Sequence, residues 1–127
     1  MTGIDSGRPQ VGSMAADISN AVVRVLNEYT GRGPTRARTH IDDELICVVM
    51  RDTLTKGERS LVANGKVELV LAARKGYQEA MRADMVGAVE RISGRKVLAF
   101  LSDNHVEPDI GVETFVLEPQ NDGASEA

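Results

Sequence analysis

Three groups of residues in this chain are of types that could do chemistry. Arg32, Arg36, Arg38 and His40 fall within nine residues that contain no acid. In an extended strand the last three alternate onto one face, about 7 Å apart. Such a ladder could hold phosphate, bicarbonate or a carboxylate through charge-assisted hydrogen bonds, with Gly31 and Gly33 freeing backbone donors beside Arg32. The plainer reading, and the one favoured, is a solvated strand face or an interchain salt-bridge surface for Glu and Asp, since long cationic side chains routinely occupy exposed strand positions. Asp103, His105, Glu107 and Asp109 offer oxygen and imidazole donors within seven residues. Their spacing matches no established metal-ligand pattern, and with Pro108 among them the stretch is expected to be a polar connection between strands. Cys47 lies inside the run ICVVM, where burial is expected to make its thiol an inert part of the core.

Other chemistry finds no support. There is no G-x-S-x-G elbow, no phosphate-binding G-x-x-x-x-G-K-[ST] and no G-x-G-x-x-G after a strand. Asp42 and Asp43 are adjacent, so in a strand they would point to opposite faces, and they are expected to form a turn. No nucleophile, base and oxyanion hole assemble, so the expectation is a domain with no catalytic residues, no metal and no cofactor.

The elements that must position these residues can be read from periodicity. Ile18, Ala21, Val22, Val25, Leu26 and Tyr29 recur at steps of three and four, which predicts a helix from about Asp17 to Thr30. Gly31 closes it and Gly33-Pro34 forbids its resumption. Thr35 to Ile41 alternates, and Leu45 to Met50 is a short β-rich run expected to be central in a sheet or covered on both faces, so the two predict a hairpin. Thr55 and Glu58 form a capping box that starts a second helix, with a pause at Asn64-Gly65. Residues 66–92 carry a helical stripe of Val67, Val70, Leu71, Tyr77, Met81, Met85, Ala88 and Ile92. Lys96 to Ser102 and Ile110 to Leu117 predict a second hairpin.

The order α-β-β-α-α-β-β predicts an α+β fold: a two-layer sandwich with a four-stranded, largely antiparallel sheet and the helices on one face. At 127 residues there is room for one domain, expected over 14–119, with disordered tails over 1–13 and 120–127. A helix over 66–92 would be about 40 Å long and overhang its own sheet unless kinked at Gly76 or Gly87. A twofold homodimer with that helix in or near the interface is therefore expected.

Composition bounds the partners. A net charge of -4 and 3% aromatic residues supply neither a general attraction to phosphate backbones nor stacking platforms, which argues against nucleic acid. The longest strongly apolar run, Leu45 to Met50, is far short of the ~18 residues that insert into a bilayer. One cysteine and no leader-like start point to the cytoplasm.

The chain resembles the MpsC-like family, described as a subunit of a bacterial sodium-translocating, membrane-potential-generating system. The resemblance rests on Gly31-Arg32-Gly33-Pro34-Thr35-Arg36-Ala37-Arg38, on Leu54-Thr55 with Glu58-Arg59, and on Phe100-Leu101-Ser102-Asp103-Asn104-His105 with Pro108-Asp109-Ile110 and Phe115-Val116-Leu117-Glu118-Pro119. It covers roughly residues 16–119. It implies an accessory or regulatory subunit with a membrane-protein partner in ion or inorganic-carbon transport, peripheral to the inner face of the membrane, and it marks Ser102, Asp103, Asn104, His105, Pro108 and Asp109 as interaction residues. A small-anion sensor using Arg32, Arg36, Arg38 and His40 is the alternative.

Overall fold

The computed structural model describes residues 7–120, with side chains from Gly12 onward. The elements follow the expected order: α1 (Gly7–Thr30), β1 (Arg36–Asp42), β2 (Leu45–Arg51), α2 (Lys56–Ala63), α3 (Val67–Ser93), β3 (Val97–His105) and β4 (Ile110–Leu117). The four strands form one antiparallel sheet in the order β1-β2-β4-β3. Both long helices lie on one face of it, α1 over β1 and α3 over β3, and they pack on each other. The fold is the expected α+β sandwich.

The core is the layer between. Ile18, Val22 and Leu26 of α1 and Met81, Met85 and Val89 of α3 meet the inward residues of the sheet, among them Ile46, Val48, Phe100 and Phe115. Pleating sends alternate residues to opposite faces, so β4 buries Gly111, Glu113, Phe115 and Leu117 and half-exposes the residues between them. The Phe100 and Phe115 rings stack at 5.1 Å across β3 and β4.

The turn after α1 forms as its glycines require. Gly31 sits at φ +80° and its N–H closes on Asn27 O at 2.9 Å, the left-handed helix ending that residues with a Cβ resist. A Cβ on Gly33 would come within 3.0 Å of Val23 Cγ1, so the turn is folded tightly against α1. The capping box also forms: Thr55 Oγ1 accepts from Glu58 N, and Glu58 Oε1 accepts from Thr55 N.

Several boundaries differ from the sequence reading. Helix α1 begins at Gly7, so residues 7–13 of the expected tail are helical. Pro9 falls in the first turn, where its missing N–H costs no bond, and Met14 packs on the core. Residues 1–6 and 121–127 of the expected tails lie outside the described residues. Strand β2 is central, but only Ile46, Val48 and Met50 are buried; Cys47 lies half-buried on the other face, its sulfur accepting from Thr114 Oγ1 at 3.8 Å. Cys47 is thus no core residue.

The expected connection from Asp103 to Asp109 is shorter. Strand β3 continues through His105, because Asp103, Asn104 and His105 pair with Val112, Gly111 and Ile110. Helix α3 runs unbroken through Gly76 and Gly87; α2 meets it at Arg74, and of its first turns only Val70 and Arg74 are buried. In the expected stripe Leu71 and Tyr77 are exposed, while Arg74 is buried.

Candidate functional site

The site begins with a buried ion pair. Arg74, one turn along α3 from Val70, occupies a position on the buried stripe and is only 4% exposed. Its guanidinium grips Glu58 of α2 in bidentate fashion, Nε to Oε2 at 2.8 Å and Nη2 to Oε1 at 2.6 Å. Nη2 also donates to Thr53 O at 2.7 Å. Glu58, 8% exposed, is pushed up by burial, but the Arg74 bonds and the Thr55 N–H outweigh this and hold its carboxyl below the ordinary range. The planar guanidinium fork suits this geometry as an ammonium would not.

This pair fixes the segment between β2 and α2. Thr53 is buried; its hydroxyl donates to Asp109 Oδ1 at 2.9 Å, and Leu54 N–H donates to Asp109 Oδ2 at 2.9 Å. Asp52 N–H donates to Asp109 O at 3.2 Å. Asp52 itself has φ +61°, a left-handed conformation that costs a non-glycine residue of order 1 kcal/mol and persists only where the surroundings impose it. The surroundings are visible: its carboxylate lies between Arg32 at 2.6 Å and Arg59 at 3.0 Å. Partial burial works against ionisation, yet the two guanidiniums hold its pKa below the ordinary value.

Three separated stretches therefore meet at one corner: the turn carrying Arg32, the Asp52–Arg59 segment, and the β3–β4 turn ending in Asp109. A groove lies beside them between α2 and that turn, lined by Leu54, Arg59, Val62, Val106 and Glu107 among others. His105 Nδ1 lies 2.8 Å from Pro108 O within the turn.

Behind the corner, under the sheet, sits Glu113. It points inward with Phe115 and Leu117 and is 5% exposed. Burial raises its pKa from the ordinary 4.5 to about 7, while the neighbouring Ser102 and the Arg74 charge pull the other way. Ser102 Oγ and Glu113 Oε1 face each other across paired strands, but neither meets hydrogen-bond geometry with any partner among the described residues.

The structure divides the residues expected to act together. Arg36, Arg38 and His40 do share the outward face of β1, where they line a shallow concavity with Val49 and Arg51. Arg32 is not part of that ladder, since Asp52 holds its guanidinium on the other side of the turn. Of the motif residues, Asp103 and His105 face outward, Ser102 and Asn104 face the helices, and Asp109 turns back to Thr53 and Leu54. Pro108 is exposed in the turn. Alternation thus separates Asp103 and His105 from Asp109, and no three His, Cys, Asp or Glu side chains converge among the described residues. Arg51, Arg74 and Glu113 were not singled out from the sequence. Arg74 sits four residues after Val70, and Glu113 has the same parity as Phe115 and Leu117, so each could have been found as a charged residue on a buried face.

With this geometry in view, the comparisons with known proteins are specific. A family model described as the Na+-translocating membrane potential-generating system (MpsC) matches residues 10–119. The chain is also similar to the uncharacterized protein YbcI of Bacillus subtilis (strain 168), 28% identical over 95 residues that span 72% of this chain and 75% of that protein. No solved structure matches.

Two outcomes test the network. Replacing Arg74 with Met leaves the Glu58 carboxylate buried without its partner, and chemical denaturation should show a loss of about 3–5 kcal/mol. Glu113 should act in the opposite sense. Its folded pKa of about 7 lies above the unfolded value, so its neutral form is favoured by folding. No penalty exists below about pH 4.5, and it grows as pH rises through 7, reaching roughly 3 kcal/mol at about 1.4 kcal/mol per pKa unit. Glu113→Gln should therefore raise stability at pH 8 and leave it nearly unchanged at about pH 4, as read from thermal midpoints at the two pH values.

Proposed function

The chain belongs to the MpsC family, and from that premise we propose that it is a non-catalytic accessory subunit of a Na+-translocating, membrane-potential-generating system, docking on a membrane-protein partner at the inner face of the membrane. The observation that carries this reading is the corner itself. Arg32, the Leu54–Arg59 segment and Pro108-Asp109, one part of each stretch that marks the family resemblance, meet there, around a strained Asp52 clamped by Arg32 and Arg59. An ordinary surface turn has no need of a buried ion pair, an aspartate cap and a two-arginine clamp together. These bonds hold the adjacent groove in one shape, and a groove of fixed shape loses little entropy when a partner segment enters it.

No helix among the described residues is long and apolar enough to cross a membrane, and the proposal assigns the ion path to other subunits. The groove offers a partner apolar contact at Val62 and Val106, over the buried Leu54, with charges of both signs at its rim. A buried apolar centre inside a polar rim is the usual composition of a protein interface.

The test is functional. Inverted membrane vesicles from cells that carry the system but lack this chain should develop a smaller Na+-dependent potential, followed with a voltage-sensitive dye, and the added protein should restore it. A variant carrying Val62→Asp and Glu107→Arg, with an unchanged circular dichroism spectrum, should fail to restore it. Full restoration by that variant, or no deficit without the chain, refutes the reading.

A second reading, small-anion sensing on the outward face of β1, is favoured by one observation. Arg36, Arg38 and Arg51 line the same concavity, and none of them pairs with a carboxylate among the described residues. Calorimetry with phosphate and bicarbonate should then show binding that Arg36→Gln with Arg38→Gln abolishes, the bidentate contacts being the source of affinity. Absence of any binding by the unmodified chain removes this reading.

A further inference from the structure

The helices cover one face of the sheet, and the register shows what the other face carries. Row by row from β1 to β3 the outward residues are Arg36, Arg51, Ile110 and His105; then Arg38, Val49, Val112 and Asp103. The third row is His40, Cys47, Thr114 and Leu101, and the fourth is Asp42, Leu45, Val116 and Ala99. A solvated face of an antiparallel sheet normally reads polar at its outward positions. Here the two central strands present Leu45, Val49, Val112 and Val116, flanked by Leu98 and Leu101 at 55% and 56% exposed. A contiguous apolar surface of this kind marks a site of association.

We propose that this open sheet face is covered by a second copy of the chain, the two sheets packing face to face about a twofold axis that runs parallel to the strands. The charges suit a second copy as occupant, and the apolar rows choose the axis. Arg36, Arg38 and His40 occupy the β1 edge, with Asp42 at its end, and Asp103 lies beside His105 on the β3 edge of the same face. Rotation about an axis along the strands lays β1 of one copy over β3 of the other and keeps each row opposite itself. Arg38 then faces the partner's Asp103, and by symmetry this pair forms twice, once at each edge. Between the two pairs, Val49 meets the partner's Val112 and Leu45 meets the partner's Val116, apolar on apolar. A twofold axis across the strands would reverse the rows. It would pair Arg36 with the partner's Asp42, but it would set Arg38 against the partner's His40, Asp103 against the partner's Leu101 and the central Val112 against the partner's Thr114, so the apolar centre would be lost.

Two twisted sheets pack in this way about 10 Å apart with their strands within roughly 30° of each other. The arrangement is isologous and closed, so it stops at a dimer. It places the second copy on the sheet rather than against α3. It also leaves the groove beside Asp52 free, so the two surfaces act independently. Cys47, half-exposed in one copy, becomes shielded opposite the partner's Thr114.

Sedimentation of the full chain at tens of micromolar should give a dimer. Val112→Asp, at the centre of the face, should give a monomer with an unchanged circular dichroism spectrum, in which Cys47 is alkylated several-fold faster than in the native protein at the same concentration. Should that variant fail to fold, the edge pair supplies the test. Arg38→Asp alone and Asp103→Arg alone should each weaken dimerisation about tenfold, since each sets like charges opposite one another. The two together should recover it. A native chain that stays monomeric overturns the proposal, as does a folded Val112→Asp protein that remains dimeric, or a doubly reversed protein no tighter than the singly reversed ones.

Discussion

The buried pair of Glu58 and Arg74 is the constraint on which the rest of the structure depends. Taking both charges out of water is costly, and only the bidentate geometry, with Thr53 O and the Thr55 N–H satisfying the remaining donor and acceptor sites, offsets that cost. One arginine thereby fixes the position of α2 on α3, the entry of the chain into α2, and the path of the backbone leaving β2. With that path fixed, Thr53 and Leu54 can present a hydroxyl and an N–H to Asp109, and Asp52 can be held in a conformation it would not adopt alone.

The sheet divides the molecule into two chemical environments. On the helix side, aliphatic and aromatic residues pack at α1, α3 and the inward strand positions, and the ionisable Glu113 sits there at the expense of its charge. On the far side the same strands carry valines and leucines between the arginines of the β1 edge and Asp103 on the β3 edge. The polar corner at Asp52 joins these environments at one end of the sheet, where the β3–β4 turn, the segment before α2 and the turn after α1 come together. The groove at that corner and the apolar open sheet face are the two surfaces on which the proposed contacts with other chains rest.

Much of this was legible in the sequence because it follows from local rules. Steps of three and four placed α1 and α3, alternation placed β1, and the Thr55–Glu58 spacing placed the start of α2, since each depends only on neighbouring backbone geometry. The alternation of Arg36, Arg38 and His40 was legible for the same reason. Strand β3 was read as ending at Ser102 because Asp103, Asn104 and His105 have low strand propensity. In the structure their backbone groups pair with β4, and pairing overrides propensity.

By itself, then, the sequence determined the element order, the α+β class, the two hairpins, the helix caps and the family resemblance, all of which depend on periodicity and short-range hydrogen bonding. Only the tertiary structure decided which strand face the helices cover. That choice turned Cys47 outward and Glu113 inward, and it left Val49, Val112 and Val116 without a covering layer. It likewise decided that Arg32 pairs with Asp52 rather than joining Arg36 and Arg38, and that Arg74 finds Glu58 across sixteen residues of chain. The physical reason is common to all of these. An isolated charged side chain carries no mark of its future partner, because the partner is brought near by packing of apolar faces elsewhere, and burial then makes the pairing obligatory.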